Sequence, residues 1–212
     1  MSEVAIRKTQ MELRHHPIVK ETLELLAREL PDTLLYHSLA HTEDVLDEVL
    51  RFGVTDGLSS RELELLAIAA ACHDAGFVQS PISNEPLGAA FARERMERHG
   101  GYTAGEVALV ERMILDTALV STESGSQQIP SSTLSRYLLD ADLSNLGRED
   151  CFEKAELLRL EIGEDVVPFR KNSLAFVSAH QWHTPAGRSL RQKRKEENLA
   201  LLRAMVEAPY PT

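Results

Sequence analysis

One stretch, residues 65–76, constrains the fold of this chain more than any other. Eight apolar residues in a row, 65–72, run directly into the adjacent pair His73 and Asp74. A helix that is apolar on every side is a buried helix, so both polar residues are expected at the deep end of a core element. Burying an imidazole and a carboxylate without partners costs several kcal/mol. Two interpretations satisfy both groups: a shared divalent metal ion, or a hydrogen-bonded His–Asp pair without a metal.

Flanking residues indicate where this helix begins and ends. Ser59 and Glu62 have the spacing of a capping box, which predicts a helix that starts immediately after Ser59. Gly76 is placed to end the helix. Consecutive helical residues point about 100° apart, so His73 and Asp74 can face one point only if the helix ends there.

The remaining segments indicate an all-α protein. Almost every segment has helical periodicity, no hairpin signal such as Asn-Gly separates alternating runs, and 119–131 is predicted to be a polar loop. Thr184 and Pro185 form an N-cap and first-turn pair, which predicts a last helix that extends to about Glu207. We therefore predict a single-domain helical bundle, 1–212, of roughly eight to ten helices.

Charge and cysteine content exclude several classes of function. The chain has 23 Lys and Arg against 33 Asp and Glu, a formal net charge of -10, so it is not built for nonspecific binding of nucleic acid or anionic membranes. Neither a signal peptide nor a membrane-spanning run is visible. Of the two cysteines, Cys72 lies in the buried run, so no disulfide framework is expected and we predict a cytoplasmic protein.

Four residues combine a buried setting with metal-ligand chemistry: His41, His73, Asp74 and Asp142. Asp142 is flanked by leucines, and a buried aspartate is rare unless it is paired. Two imidazoles and two carboxylates suit one divalent ion, Mn, Fe, Ni, Co or Zn, and Mg less well. Coordination positions left open would hold water, which indicates catalysis more than structure.

A further histidine, His37, lies four residues before His41, so both would share one inward face if both are helical. A core histidine and a catalytic group are both compatible with this position.

The ordered set of one His, a His-Asp pair and a distal Asp resembles the signature of the HD-domain superfamily of metal-dependent phosphohydrolases. The local contexts match as well: Ala-Cys-His-Asp-Ala-Gly-Phe around the pair and Asp-Ala-Asp-Leu at 140–143. The resemblance covers roughly 34–150 and implies an all-α HD-type domain, completed by helices within 149–207. It also implies that one divalent ion is held by His41, His73, Asp74 and Asp142.

Other motifs are similar to narrower groups within this superfamily. Asn84-Glu85, Asp140, Arg159-Leu160-Glu161 and 187–191 resemble one uncharacterised branch of predicted HD phosphohydrolases. Tyr36-His37 followed by His41 is similar to the cyclic-nucleotide phosphodiesterase motif, in which the earlier histidine is a general acid. Binuclear HD enzymes have further histidines between the pair and the distal Asp, where this chain has only His99, which argues against a second metal.

The resemblance implies roles for these residues in phosphoester hydrolysis. Asp74 would ligate the metal and orient the attacking water, and His37 would protonate the leaving oxygen. Glu85 and Asp140 are expected to lie next to the metal ligands and to orient them by hydrogen bonds. A carboxylate at the start of a helix, such as Glu85, is as often simply solvated.

Cations for a charged substrate are predicted at four positions: Arg159, Arg188, Arg191 and Lys195. The last three are spaced i, i+3 and i+7, and the leucines at 199 and 202 continue their stripe, which predicts that the row faces inward. The alternative is a solvated face with ion pairs to the acidic body.

Three functions stay open at this point. The first is a phosphohydrolase that acts on a small phosphorylated metabolite or nucleotide, and the second is a noncatalytic metal-dependent module that senses a nucleotide. The third, a structural protein with a buried polar pair, is disfavoured by the complete ligand set. The expected partner is a small phosphorylated substrate or nucleotide, with no nonspecific nucleic acid and no membrane; a homodimer is an option.

Overall fold

The computed structural model describes residues 3–80, 82–122 and 125–208, and within these ranges the chain forms ten α-helices and one antiparallel two-stranded ribbon. The helices are α1 (Glu3–Arg14), α2 (Pro17–Glu29), α3 (Leu39–Asp56), α4 (Ser60–Cys72), α5 (Asn84–His99), α6 (Ala104–Leu115), α7 (Thr133–Asp142), α8 (Cys151–Ile162), α9 (Val166–Ala179) and α10 (Pro185–Glu207). The strands are β1 (Val120–Thr122) and β2 (Gly125–Gln127). The prediction of an all-α bundle with eight to ten helices is confirmed.

Helix α4 lies at the centre of the bundle and packs against α2, α3, α5, α6 and α7. Its apolar run is buried on every side, as its sequence predicts. Ser59 caps its first turn by accepting from the amide of Glu62, whose carboxylate accepts in return from the Ser59 amide. Full burial of side chains such as Leu66 and Ile68 contributes about 1.5–3 kcal/mol each.

Helix α4 ends close to the predicted position, but Gly76 is not the residue that ends it. The helix ends at Cys72, His73 is the C-cap residue, and a short 3₁₀ turn follows at Ala75–Val78. Gly76 lies inside that turn and has no left-handed backbone conformation. A Cβ atom there would overlap the backbone of Asn84, so the glycine permits a close approach of two chain segments rather than ending the helix.

The variant Gly76→Ala is expected to lose about 1–3 kcal/mol of unfolding free energy, because the added methyl group forces apart two backbone segments. Gly105→Ala in α6 is the matched control: its Cβ would meet nothing closer than 3.9 Å, and the better helix propensity should stabilise the protein by about 0.4–1 kcal/mol. Chemical denaturation measures both values, and equal stability of the two variants would contradict the packing argument.

Segment 119–131 is not wholly a loop, because β1 and β2 pair in it with Val120 opposite Gln127 and Thr122 opposite Gly125. Gly125 has φ 114°, a conformation that favours glycine and helps the chain to reverse. Residues 123–124 lie outside the described ranges. Without an Asn-Gly turn, the polar sequence carried no hairpin signal.

The carboxyl-terminal helices surround a second, smaller apolar cluster formed by Leu146, Val177, Trp182 and Leu202. Helix α9 ends at Ala179, and a non-helical linker, 180–183, connects it to α10. Thr184 caps α10 by accepting from the amide of Gly187, with Pro185 in the first turn, which confirms the predicted start. No helix in the described ranges combines the length and apolar character that a membrane crossing requires.

Candidate metal centre

Three helix ends bring together the residues singled out from the sequence. His41 lies near the start of α3, His73 caps the end of α4, and Asp142 is the last residue of α7. Each offers one ligand atom, and these atoms all lie within 4.8 Å of one another. His41 Nε2 lies 3.1 Å from Asp142 Oδ1 and 3.4 Å from His73 Nε2, which itself lies 3.7 Å from Asp142 Oδ1. Residues far apart in sequence therefore form one buried cluster of His, His and Asp.

Asp74 adds a fourth donor beside this cluster. Its Oδ2 lies 3.2 Å from His73 Nε2 and 3.6 Å from His41 Nε2. Within the described ranges this buried oxygen has no hydrogen-bond partner, whereas Oδ1 accepts from Asn84 Nδ2 at 2.9 Å. Burial alone would raise the pKa of Asp74, but the charges of His73 and His41 lower it well below its usual range. Asp74 is therefore an ionised carboxylate whose Oδ2 lies beside two imidazoles without accepting a hydrogen bond.

The ring of His73 is held in one orientation by its backbone contact. Nδ1 lies 2.7 Å from the carbonyl oxygen of Ala70, to which it donates, so Nε2 faces the cluster. Burial lowers the pKa of His73, but the neighbouring Asp74 carboxylate outweighs burial and raises it to about 9. The cluster thus stabilises positive charge at this point, whether a proton or a metal ion that would displace it. Two imidazole nitrogens and two carboxylate oxygens are a donor set that fits a divalent transition metal.

Neither a scan against protein-family models nor a search of the curated proteins finds a match for this chain. A functional assignment therefore rests on the geometry and on the sequence pattern.

Two side-chain amides hold the carboxylates in place. Gln128 donates from Nε2 to Asp142 Oδ2 at 2.6 Å and to the Thr117 carbonyl at 2.8 Å. Asn84 donates to Asp74 Oδ1 and also to the carbonyl oxygen of His73. Sequence reasoning missed Gln128, because an isolated glutamine after a polar segment has no periodic signal. Asn84 appeared only as part of a motif.

Within the part of the chain that the structure describes, neither Glu85 nor Asp140, the two residues expected to support the ligands, forms a hydrogen bond with them. Glu85 lies in the first turn of α5, and its side chain has no hydrogen bond or ion pair within the part of the chain that the structure describes. Asp140 is fully buried and accepts from the amides of His183 and Thr184 at 2.9 and 2.8 Å, and from the Thr184 hydroxyl at 2.6 Å. Asp140 therefore anchors the linker between α9 and α10, and its expected support of a metal ligand stays a prediction.

His37 reaches the site by a different route from the one predicted. Helix α3 begins at Leu39, so His37 precedes it and does not share a helical face with His41. The two rings nevertheless lie 5.9 Å apart, centroid to centroid. Glu161, at the end of α8, holds His37: one carboxylate oxygen pairs with its Nδ1, and the other accepts from the backbone amides of Tyr36 and His37 at 2.7 and 3.0 Å.

Each member of the pair formed by His37 and Glu161 favours the charged form of the other. Burial would lower the pKa of His37, but the hydrogen bond with Glu161 and the nearby Asp74 charge raise it above 6.5. Burial would raise the pKa of Glu161, but the His37 contact lowers it. His37 is thus stabilised as an imidazolium beside the cluster. Sequence reasoning quoted Glu161 only within a motif, because its partner lies 124 residues away.

The four predicted substrate cations all have partners within the protein. Arg188 donates to the Trp182 carbonyl at 2.8 Å, and Lys195, which is buried, donates to the His180 carbonyl. The remaining contacts are those of Arg191 with the Glu48 carboxylate and of Arg159 with the Glu156 carboxylate and the Glu164 carbonyl. The row on α10 is not uniformly inward, because Arg188 is exposed. These contacts favour structural roles, and substrate binding by the four cations stays a prediction.

Arg191→Met is expected to lower the free energy of unfolding by about 2 kcal/mol, because it removes one of the two arginines that pair with the buried Glu48 within the described ranges and leaves Arg51. The control Arg194→Met breaks surface pairs with Glu149 and Glu197 and should cost about 0–1 kcal/mol. Denaturant titration measures both. If Arg191→Met instead raised the KM for a phosphorylated substrate and left stability unchanged, Arg191 would be a substrate-binding residue.

A cleft of about 370 Å³ lies next to the cluster, between β2, α7, α9 and the 180–183 linker. Its lining is Ser126, Gln127, Gln128, Leu139, Leu143, Phe176, Ala179, His180, Gln181, Trp182 and His183. It adjoins the cluster through Gln128, which contacts Asp142, and through Leu143, the next residue in sequence. The sequence analysis did not predict this cleft.

Proposed function

We propose that this protein is a metal-dependent phosphohydrolase of the HD-domain type, which hydrolyses a phosphoester of a small phosphorylated metabolite or nucleotide. The observation that carries the proposal is the convergence of four donor atoms, two imidazole nitrogens and two carboxylate oxygens, at three helix ends. The Asp74 Oδ2 atom among them is buried and has no hydrogen-bond partner within the described ranges. A bound cation would coordinate this oxygen and offset the cost of burying its charge.

His41, His73, Asp74 and Asp142 would hold one divalent ion, with Mn, Fe, Ni, Co, Zn and Mg as the candidates. When bound, such an ion supplies Lewis acidity toward a phosphoryl oxygen and lowers the pKa of a coordinated water.

The side chains around the donors perform three tasks in this proposal. Asn84 and Gln128 fix the two carboxylates, so the donor geometry is set before substrate arrives. Asp74, ionised, accepts a hydrogen bond from the attacking water and orients it toward phosphorus. His37 donates its proton to the leaving oxygen, and Glu161 keeps that imidazole charged and oriented.

A phosphoester panel tests the proposal. Metal-free protein is supplied with each candidate ion in turn and assayed for phosphate release from nucleoside monophosphates, sugar phosphates and cyclic nucleotides. We expect turnover of at least one substrate class that requires both the ion and Asp74, so that Asp74→Asn is inactive while exposed Asp32→Asn is unaffected. Ligand binding without turnover under every ion would favour the alternative, a noncatalytic nucleotide-sensing module. A protein that binds no ion would reject both.

A further inference from the structure

The side chains of the His/Asp cluster differ in how far solvent reaches them. Those of His41, His73 and Asp74 keep at most 6% of their surface exposed. Asp142 keeps 13%, and the neighbouring His37 keeps 26%. A ligand therefore approaches the cluster from the side of His37 and Asp142, which we call the opening.

Tyr36, the residue before His37, lies beside this opening. Its ring packs against the ring of His41 at 4.7 Å between centroids, and it meets the ring of His37 edge-on at 4.9 Å. Only 8% of the residue is exposed. Its backbone amide donates to the Glu161 carboxylate at 2.7 Å. Contacts that do not involve the hydroxyl therefore hold the tyrosine ring against His41.

The Tyr36 hydroxyl has no hydrogen-bond partner within residues 3–80, 82–122 and 125–208. It is not among the unpaired atoms that are shut off from solvent, so a ligand at the opening can contact it. Burial raises the pKa of Tyr36 well above its usual value, and the charges of Asp142 and Asp74 raise it further. The hydroxyl is thus an uncharged donor within electrostatic reach of both carboxylates. Because nine-tenths buried polar groups are normally paired, this one is available to a ligand.

A phosphoryl group at the cluster would need hydrogen-bond donors for its negatively charged oxygens. The four cations predicted from the sequence are engaged with other groups of the protein. Beside the opening lie the Tyr36 hydroxyl and the imidazole of His37, whose Nδ1 pairs with Glu161. In the proposed reaction His37 serves the leaving oxygen. The Tyr36 hydroxyl then serves an oxygen that is not part of the bond being broken.

We infer that Tyr36 is a further catalytic residue, whose hydroxyl donates a hydrogen bond to a non-bridging oxygen of a phosphoryl group bound at the cluster. The inference rests on the proposed function. Tyr36 keeps its proton throughout, and no covalent bond to it forms. The negative charge of the phosphoryl group is spread over its non-bridging oxygens, and a donor fixed in a site with little water stabilises that charge more than solvent does.

Inorganic phosphate is the probe for this contact. The full chain, loaded with whichever candidate ion it binds, is titrated with phosphate by calorimetry. In Tyr36→Phe, which keeps the ring against His41 and loses only the hydroxyl, the affinity for phosphate should fall about tenfold to a hundredfold. Metal content and melting temperature should stay the same, because the hydroxyl bonds to no described residue.

Tyr102→Phe is the matched control. It also removes one hydroxyl, but this hydroxyl donates to Glu64 at 2.9 Å and lies 3.1 Å from His16 Nε2, and neither partner belongs to the cluster. Its phosphate affinity should equal that of the unchanged protein. With a substrate from the phosphoester panel, kcat/KM should fall in Tyr36→Phe by about tenfold or more and stay the same in Tyr102→Phe.

The outcomes separate this inference from the proposed function. Phosphate binding that is weakened in Tyr36→Phe, in a protein that hydrolyses no phosphoester, supports the contact with Tyr36 and rejects the hydrolase. Equal phosphate affinity and equal kcat/KM in Tyr36→Phe overturn the inference and leave the hydrolase in place. A loss of metal or a lower melting temperature in Tyr36→Phe would make the hydroxyl a structural group and overturns the inference as well.

Discussion

Replacing His73 or Asp142 by alanine is expected to abolish metal binding. Both side chains contribute donor atoms to a cluster whose members lie 3.1–3.7 Å apart, so either change removes a ligand. It also leaves the neighbouring charges without their partner. Elemental analysis of the purified protein should give about one ion per chain for the unchanged sequence, as expected for a four-donor site, and close to none for the two variants. Phosphoesterase activity should be lost with the metal.

His15→Ala and Asp32→Ala serve as matched controls, since both residues are exposed and take no part in the cluster. Their metal content should equal that of the unchanged protein. Circular dichroism and a melting curve show whether each variant is folded. If the folded His73→Ala and Asp142→Ala variants both retained stoichiometric metal, the assignment of these residues as ligands would be wrong.

The second large effect is expected at His37 and Glu161. His37→Ala should retain the metal but lose about 10²–10⁴ in kcat, the usual contribution of a general acid, for a substrate whose leaving-group departure limits the rate. Glu161→Gln should act through His37, because it removes the negative charge that raises the pKa of that imidazole.

The pH profile distinguishes positioning from simple packing. A general acid must be protonated, so the rate falls as the pH rises through the pKa of His37, which Glu161 holds above 6.5. In Glu161→Gln this fall should begin at lower pH, while metal content stays the same. Glu164→Gln, which alters a surface contact with Asn172 in the same region, is the control and should leave the profile in place. An unshifted profile in Glu161→Gln would remove Glu161 from the mechanism.

The core of the fold and the His/Asp cluster could be predicted from the sequence for one shared physical reason. An apolar run such as 65–72 can only be buried, and His73 and Asp74 at its end then need a partner. Asp142, inside a leucine-rich helix, follows from the same argument. Whether a residue is buried and whether its side chain can bind a metal can both be inferred from the residue and its neighbours in sequence. Three distant segments could therefore be assigned to one site without knowledge of their packing.

The parts that escaped prediction depend on pairings between distant segments. Glu161 and Gln128 have no local feature that links them to the site, because their roles come only from their partners, His37 and Asp142. The three cations of α10 were predicted to bind an anionic substrate. In the structure they instead contact Glu48 and two backbone carbonyl groups. Periodicity identifies the face of a helix but not the partner on the other side.

The attachment of the 180–183 linker has a consequence for how this scaffold can change over evolution. Asp140 holds the linker through the backbone amides of His183 and Thr184, a contact that is largely indifferent to the side chain at position 183. Asp142, two residues further on, belongs to the cluster with His41 and His73. The side chains of Gln181, which is exposed, and His183, which is half-buried, can therefore be exchanged while the anchor and the His/Asp cluster persist, whereas the buried Trp182 is held by its apolar neighbours.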